Sequence, residues 1–194
     1  MATETRERMI EVAMSLFQRH GYRATSWRVL TQEGATPWGS VQHHFPGGKE
    51  ELGVAAVKLA EQSVNALIVE CFAQAEQPSD GIRRWFSASA DLLSASSFDG
   101  GCPVAPVVLE MSAESAVLRA ACSEAFLAWT ETVARALRDQ LGEIRAEQLA
   151  STVVACFEGA LILARSHAET APLVRAADTV ATMIDAEIAR RLHP

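Results

Sequence analysis

The tightest constraint on this chain lies between Arg23 and Leu52, in RATSWRVLTQEGATPWGSVQHHFPGGKEEL. Two short stretches with helical apolar spacing are separated by Gly34-Ala35-Thr36, and Pro46-Gly47-Gly48 cuts the second one off. Thr25 or Ser26 can cap the first helix, because a hydroxyl accepts an orphan N–H of the first turn. Trp27 and Leu30 supply its apolar side. Thr36 is placed as the N-cap of the second helix and Pro37 at its first position, where a missing N–H costs nothing. Val41 and Phe45, four apart, face inward together, which leaves Trp38, Ser40, Gln42 and His43 outward. Lys49 opens the next helix. A short helix turned across another, presenting polar residues from its N-terminal half, is a geometry that reads the DNA major groove.

The remaining pattern is helical throughout. Met9, Ile10, Val12, Ala13, Leu16 and Phe17 recur at three-and-four spacing over about 4–20, and Gly21 ends that helix. A long helix over about 48–76 connects the head to the body with no linker, so a shift at its far end is expected to move the head. Further helices are read at 80–97, 115–141, 145–168 and 172–192, with a break at 94–101 and an apolar run, GGCPVAPVVLEMS, at 100–112. Aromatic and β-branched runs are scarce and alanine is abundant, which favours packed helices over sheet. The expected fold is all-α. Residues 1–52 form a three-helix, helix-turn-helix DNA-binding domain, and residues 53–194 a helical ligand-binding and dimerisation domain.

Charge is divided unevenly. Residues 1–52 carry six basic and six acidic side chains, so the whole net charge of −7 belongs to the rest. An acidic body weakens non-specific attraction to DNA, so binding is expected to lean on a few placed contacts and to be salt-dependent. Neither a signal segment nor an apolar run near 18 residues is evident, which predicts a soluble cytoplasmic protein without a membrane partner. Cys71, Cys102, Cys122 and Cys156 show no CxxC spacing and read as reduced core residues. His20, His43, His44, His167 and His193 lie in no ligand spacing, and no nucleophile–base arrangement is evident. We therefore expect no metal, no cofactor and no catalytic residues.

GYRATS (21–26), GSVQHHF (39–45) and FPGGKEEL (45–52) together resemble the DNA-binding region of the TetR family of bacterial repressors. The last segment is most similar to the multidrug- and flavonoid-responsive subgroup related to the lincomycin-resistance regulator, and the Gly-Cys-small-apolar run at 100–112 matches that subgroup too. The resemblance implies DNA contacts from Thr25, Arg28, Thr36, Pro37, Trp38, Gly39, Ser40, Gln42, His43, His44 and Lys49, with Lys49 on a phosphate. Three positions depart from the family pattern. Ala35 stands where Gly is usual and must tolerate positive φ. Trp38 replaces a common Lys or Arg, and Gln42 a Tyr that contacts the backbone. Gln42 can pair with adenine; Trp38 can pack on a thymine methyl or on sugars, or anchor two helices.

The resemblance also implies a homodimer through a four-helix bundle of the two C-terminal helices, a near-palindromic operator in double-stranded DNA, and a small hydrophobic or aromatic effector. Phe72, Trp85, Phe86, Cys102, Glu110, Met111, Phe126, Trp129 and Phe157 are the candidate ligand-binding residues, although each also fits plain core. Asp91, Glu110 and Glu158 lie where they could orient a polar group. Two rival readings remain: an all-α small-molecule-binding protein or enzyme, and a cysteine-based redox regulator sensing through Cys102.

Overall fold

The computed structural model describes residues 2–192; His193 lies outside them. Among the described residues there are nine helices and no strand: α1 (Ala2–His20), α2 (Trp27–Glu33), α3 (Trp38–His44), α4 (Gly48–Ala73), α5 (Pro78–Ala95), α6 (Ala105–Met111), α7 (Ala116–Leu141), α8 (Glu143–His167) and α9 (Ala171–Leu192). The all-α expectation holds, and the short helix α6 comes out of the apolar run at 100–112.

The chain condenses into two compact units, and neither is one continuous segment. The first comprises residues up to Gln62 together with Cys102–Ala125; the second comprises Ser63–Gly101 and the chain from Phe126 onward. The expected division after residue 52 therefore does not follow the packing: α6 and the start of α7 belong with the head.

In the first unit, α1 packs on α2 and on α6. The stripe Met9, Ala13, Leu16 and Phe17 is buried, and Leu30, Val41, Phe45, Leu52 and Ala56 meet it from the other helices of the unit. Gly21 ends α1 at φ +85, and the Tyr22 ring folds back to lie 5.1 Å from the Phe17 ring. Helices α1, α2 and α3 and the start of α4 thereby enclose a small core, each burying one face.

In the second unit, α9 packs on α5 and α8, and α5 also touches α8. The interior holds Ile82, Trp85, Phe86, Leu93, Val153, Phe157, Leu173, Val180 and Ile184. Charged pairs edge this core. Arg83 of α5 reaches Asp80 at 3.2 Å and Asp178 of α9 at 3.4 Å, and Arg145 of α8 holds Glu187 of α9 at 2.7 Å. The Arg83 pairs are exposed and the Arg145–Glu187 pair is partly so, and burial of the apolar stripes dominates the packing energy.

By length and composition, α4 and α8 are each apolar enough to cross a membrane, a property that the core helix of a helical protein shares.

Candidate nucleic-acid interface

Helix α2 is capped by Ser26, whose Oγ accepts the Val29 N–H at 3.4 Å. Thr25 does something else: its hydroxyl donates to the Gly21 carbonyl at 2.8 Å, and its side chain is 1% exposed. Thr36 departs from expectation in the same way. It is 5% exposed, and its hydroxyl turns back to donate to the Gly34 carbonyl at 3.0 Å. Helix α3 therefore starts at Trp38 with Pro37 as N-cap and no side-chain cap, and the Pro37 carbonyl accepts the Ser40 N–H at 2.9 Å. Both threonines satisfy backbone carbonyls inside the head, so they leave the set of exposed side-chain contacts.

The corner between α2 and α3 explains the displaced glycine. A Cβ on Gly34 would lie 2.9 Å from the Leu30 carbonyl oxygen, so no larger residue fits there. Ala35 follows at φ 45 and carries the left-handed conformation itself.

Val41 and Phe45 pin α3 from beneath, and the Arg6 guanidinium lies 5.1 Å over the Phe45 ring. On the opposite side Pro37, Trp38, Gly39, Gln42 and His43 are exposed, with Ser40 and His44 half-buried. The His43 and His44 rings meet edge to face at 5.1 Å. Arg28 of α2 is exposed as well. The chain then turns through Gly47, whose N–H donates to Glu51 Oε2 at 2.8 Å, and Gly48 opens α4 at φ +75.

Lys49 is held inward. Its Nζ donates to the Tyr22 carbonyl at 2.5 Å and lies 4.2 Å over the Tyr22 ring. Burial lowers the Lys49 pKa, and the negative charge of Glu110 acts against that. Neither neighbouring carboxylate pairs with it: Glu50 accepts from the Ser115 hydroxyl and Glu51 from the Gly47 N–H. An ammonium has three donors, so one spent on Tyr22 leaves two for a phosphate. Tyr22 is pushed up to about 12 by burial, with a smaller push from Glu50.

A clasp that sequence reading missed ties α6 to the turn after α1. Glu110 Oε2 accepts the Arg23 N–H at 2.6 Å, Arg23 Nη2 donates to the Glu110 carbonyl at 3.2 Å, and the same guanidinium pairs with Glu114. Gly21 beside it is held by its φ of +85, which strains any larger residue, and a Cβ there would also displace the Glu110 carboxylate, 2.1 Å away at Oε1. Glu110 is thus engaged within the first unit, a correction to its placement as a ligand-orienting carboxylate. Arg23 and Glu110 are 87 residues apart, so no local spacing could have signalled the pair.

The other proposed ligand-binding residues divide between the units. Cys102 and Met111 join Glu110 in the first; Phe72, Trp85, Phe86, Phe126, Trp129 and Phe157 are in the second. Cys102 is buried and its Sγ accepts the N–H groups of Val104 and Ala105 at 3.4 and 3.3 Å, which caps α6. Trp85 stacks on Phe157 at 4.2 Å, and Phe86 meets both rings edge-on. Phe126 meets Trp129 edge-on at 5.2 Å. Phe72 lines a cleft of about 270 Å³ with Ala75, Glu76, Gln77, Pro78, Ala136 and Gln140.

An all-helical chain that anchors a short exposed helix across a tight corner is, as a class, a helix-turn-helix regulator. Residues 78–179 match the C-terminal domain of LmrA/YxaF-like transcriptional regulators. The chain is similar to the HTH-type transcriptional regulator LmrA of Bacillus subtilis, with 30% identity over 182 residues, 93% of this chain and 97% of that protein. It is also similar to the HTH-type transcriptional regulator Rv0196 of Mycobacterium tuberculosis, with 32% identity over 174 residues, 87% of this chain and 88% of that one. Among solved structures, a TetR regulator from Chloroflexus aurantiacus superposes with a TM-score of 0.79 at 27% identity, covering 95% of this chain and 96% of its own. The regulatory protein TetR from Rhodobacter sphaeroides shares the fold, with a TM-score of 0.83 at 20% identity over 91% of this chain and 96% of its own. This chain belongs to the TetR family of transcriptional regulators, among its LmrA/YxaF-like members.

Proposed function

We propose that this regulator is a homodimeric repressor whose two heads read the halves of a near-palindromic operator, and that a small hydrophobic or aromatic effector releases it. The observation that carries the reading is α3, pinned by Val41 and Phe45 while Trp38, Gly39, Gln42 and His43 stand exposed on its other side. Arg28 and Lys49 are the phosphate contacts in this reading, and Gln42 reads base edges.

Dimerisation is assigned to α8 and α9. On α8, Thr152, Ala155, Gly159, Ile162 and Leu163 are exposed at helical spacing, and Val174 is exposed on α9. Two-fold symmetry of the protein then calls for a two-fold symmetric operator. The effector is assigned to the aromatic second unit. By linkage, an effector that releases DNA binds the free protein more tightly than the DNA-bound one.

The test is a binding titration on DNA from just upstream of the protein's own gene, at two salt concentrations, against an unrelated duplex. Tight binding by two or four protomers, specific to the upstream DNA and weakening steeply with salt, is the expected result. Equal weak binding to both duplexes sinks the reading in favour of a helical small-molecule-binding protein.

A further inference from the structure

The exposed side of α3 carries no Lys or Arg. Trp38 opens the helix, and Gln42 follows one turn on, so the two project from the same side. Trp38 is 64% exposed, and among the described residues no ring or cation packs on it. Its role as an anchor between helices is thereby removed. A Cβ added at the neighbouring Gly39 would meet nothing within 4 Å, so the indole stands beside open space.

An exposed indole that packs on sugars or donates its N–H to a phosphate carries no sequence information; it reads sequence where its ring sheds water against an apolar group of a base. Its single N–H donor and lack of acceptors rule out a bidentate reading of any base edge. In the major groove the one apolar group is the C5 methyl of thymine. Building on the DNA-binding reading above, we infer that Trp38 is a thymine-methyl reader. Its ring packs on one C5 methyl in each half-site, and the Gln42 amide takes N6 and N7 of an adjacent adenine. The operator is then of a defined chemical class. Each half-site has neighbouring A·T pairs, and part of its identity resides in a methyl group rather than in hydrogen bonds.

The experiment uses the full-length protein and the upstream duplex that it binds, with thymines replaced one at a time by deoxyuridine. Deoxyuridine keeps every hydrogen-bonding group and every charge and lacks only the methyl. One position per half-site should cost about 4-fold in affinity, the worth of one buried methyl at roughly 0.8 kcal/mol. Trp38→Ala should bind the natural operator more weakly and make no distinction between its thymine and uracil forms. Trp38→Arg should also lose the distinction, and should steepen the salt dependence through one more phosphate contact per protomer, by roughly 1.8 in the log–log slope for the dimer. If the wild-type protein binds thymine and uracil operators equally while rejecting an unrelated duplex, Trp38 is not a methyl reader and the operator-binding reading survives. Should no upstream duplex be bound specifically, both readings fall together.

Discussion

Ala35 occupies the corner between α2 and α3 at φ 45, a conformation that a side chain with a Cβ adopts only against steric resistance. Its neighbour Gly34 has an ordinary φ of −79 but no room for a methyl group. The two positions make opposite predictions. Ala35→Gly should raise stability by about 0.5–1 kcal/mol, and Gly34→Ala should lower it by at least as much. Thermal midpoints of the two variants, moving a few degrees up and down respectively, check this. The glycine–alanine order was legible as an oddity in the sequence. Which of the two residues carries the positive φ was not, because only the distance to the Leu30 carbonyl decides it.

Helix α8 buries Val153, Phe157, Ala160 and Ala164 and leaves Ala155, Gly159, Ile162 and Leu163 uncovered. Gly159 has open space where its Cβ would be, so a larger residue there leaves the protomer intact. In a dimer built on this stripe, Gly159→Glu would bury a carboxylate against small apolar residues, at a cost of several kcal/mol. Sedimentation or light scattering should therefore show a dimer for the wild type and a protomer of 20.9 kDa for the variant; an unchanged mass would place the interface elsewhere. The long helices were readable from their three-and-four spacing, and Gly21, at positive φ, marks the end of α1 where the sequence put it. Capping was read less well. Thr25, Ser26 and Thr36 are chemically alike, and the choice among them depends on which carbonyl each hydroxyl can reach in the folded corner. For α6, the sequence showed an apolar run leading into a helix with a Glu. It did not show the clasp to Arg23, because that pairing exists only once α1 and α6 are side by side.

Tyr22 and Cys122 both lie in the first unit, and burial raises both acids, to about 12 and about 11 respectively. Each ionises more readily when unfolded. The stability that depends on their neutrality is therefore complete below about pH 9 and is lost as pH rises through 11 for Cys122 and 12 for Tyr22. Urea midpoints should hold between pH 7 and 8.5 and fall by 10.5, with a loss on the order of 1 kcal/mol. Cys122→Ala should flatten the earlier part of that decline; an unaltered pH profile would assign the loss to other groups. The composition of the first unit has one more consequence, for engineering. The simplest chimera would join this head to another body at a single point in the sequence. In this molecule such a splice after residue 52 would separate Arg23 from Glu110 and Glu114, and Glu50 from Ser115. A transplantable reading head must carry residues 102–125 as a second inserted segment, or a donor body whose own α6 already supplies the matching carboxylates.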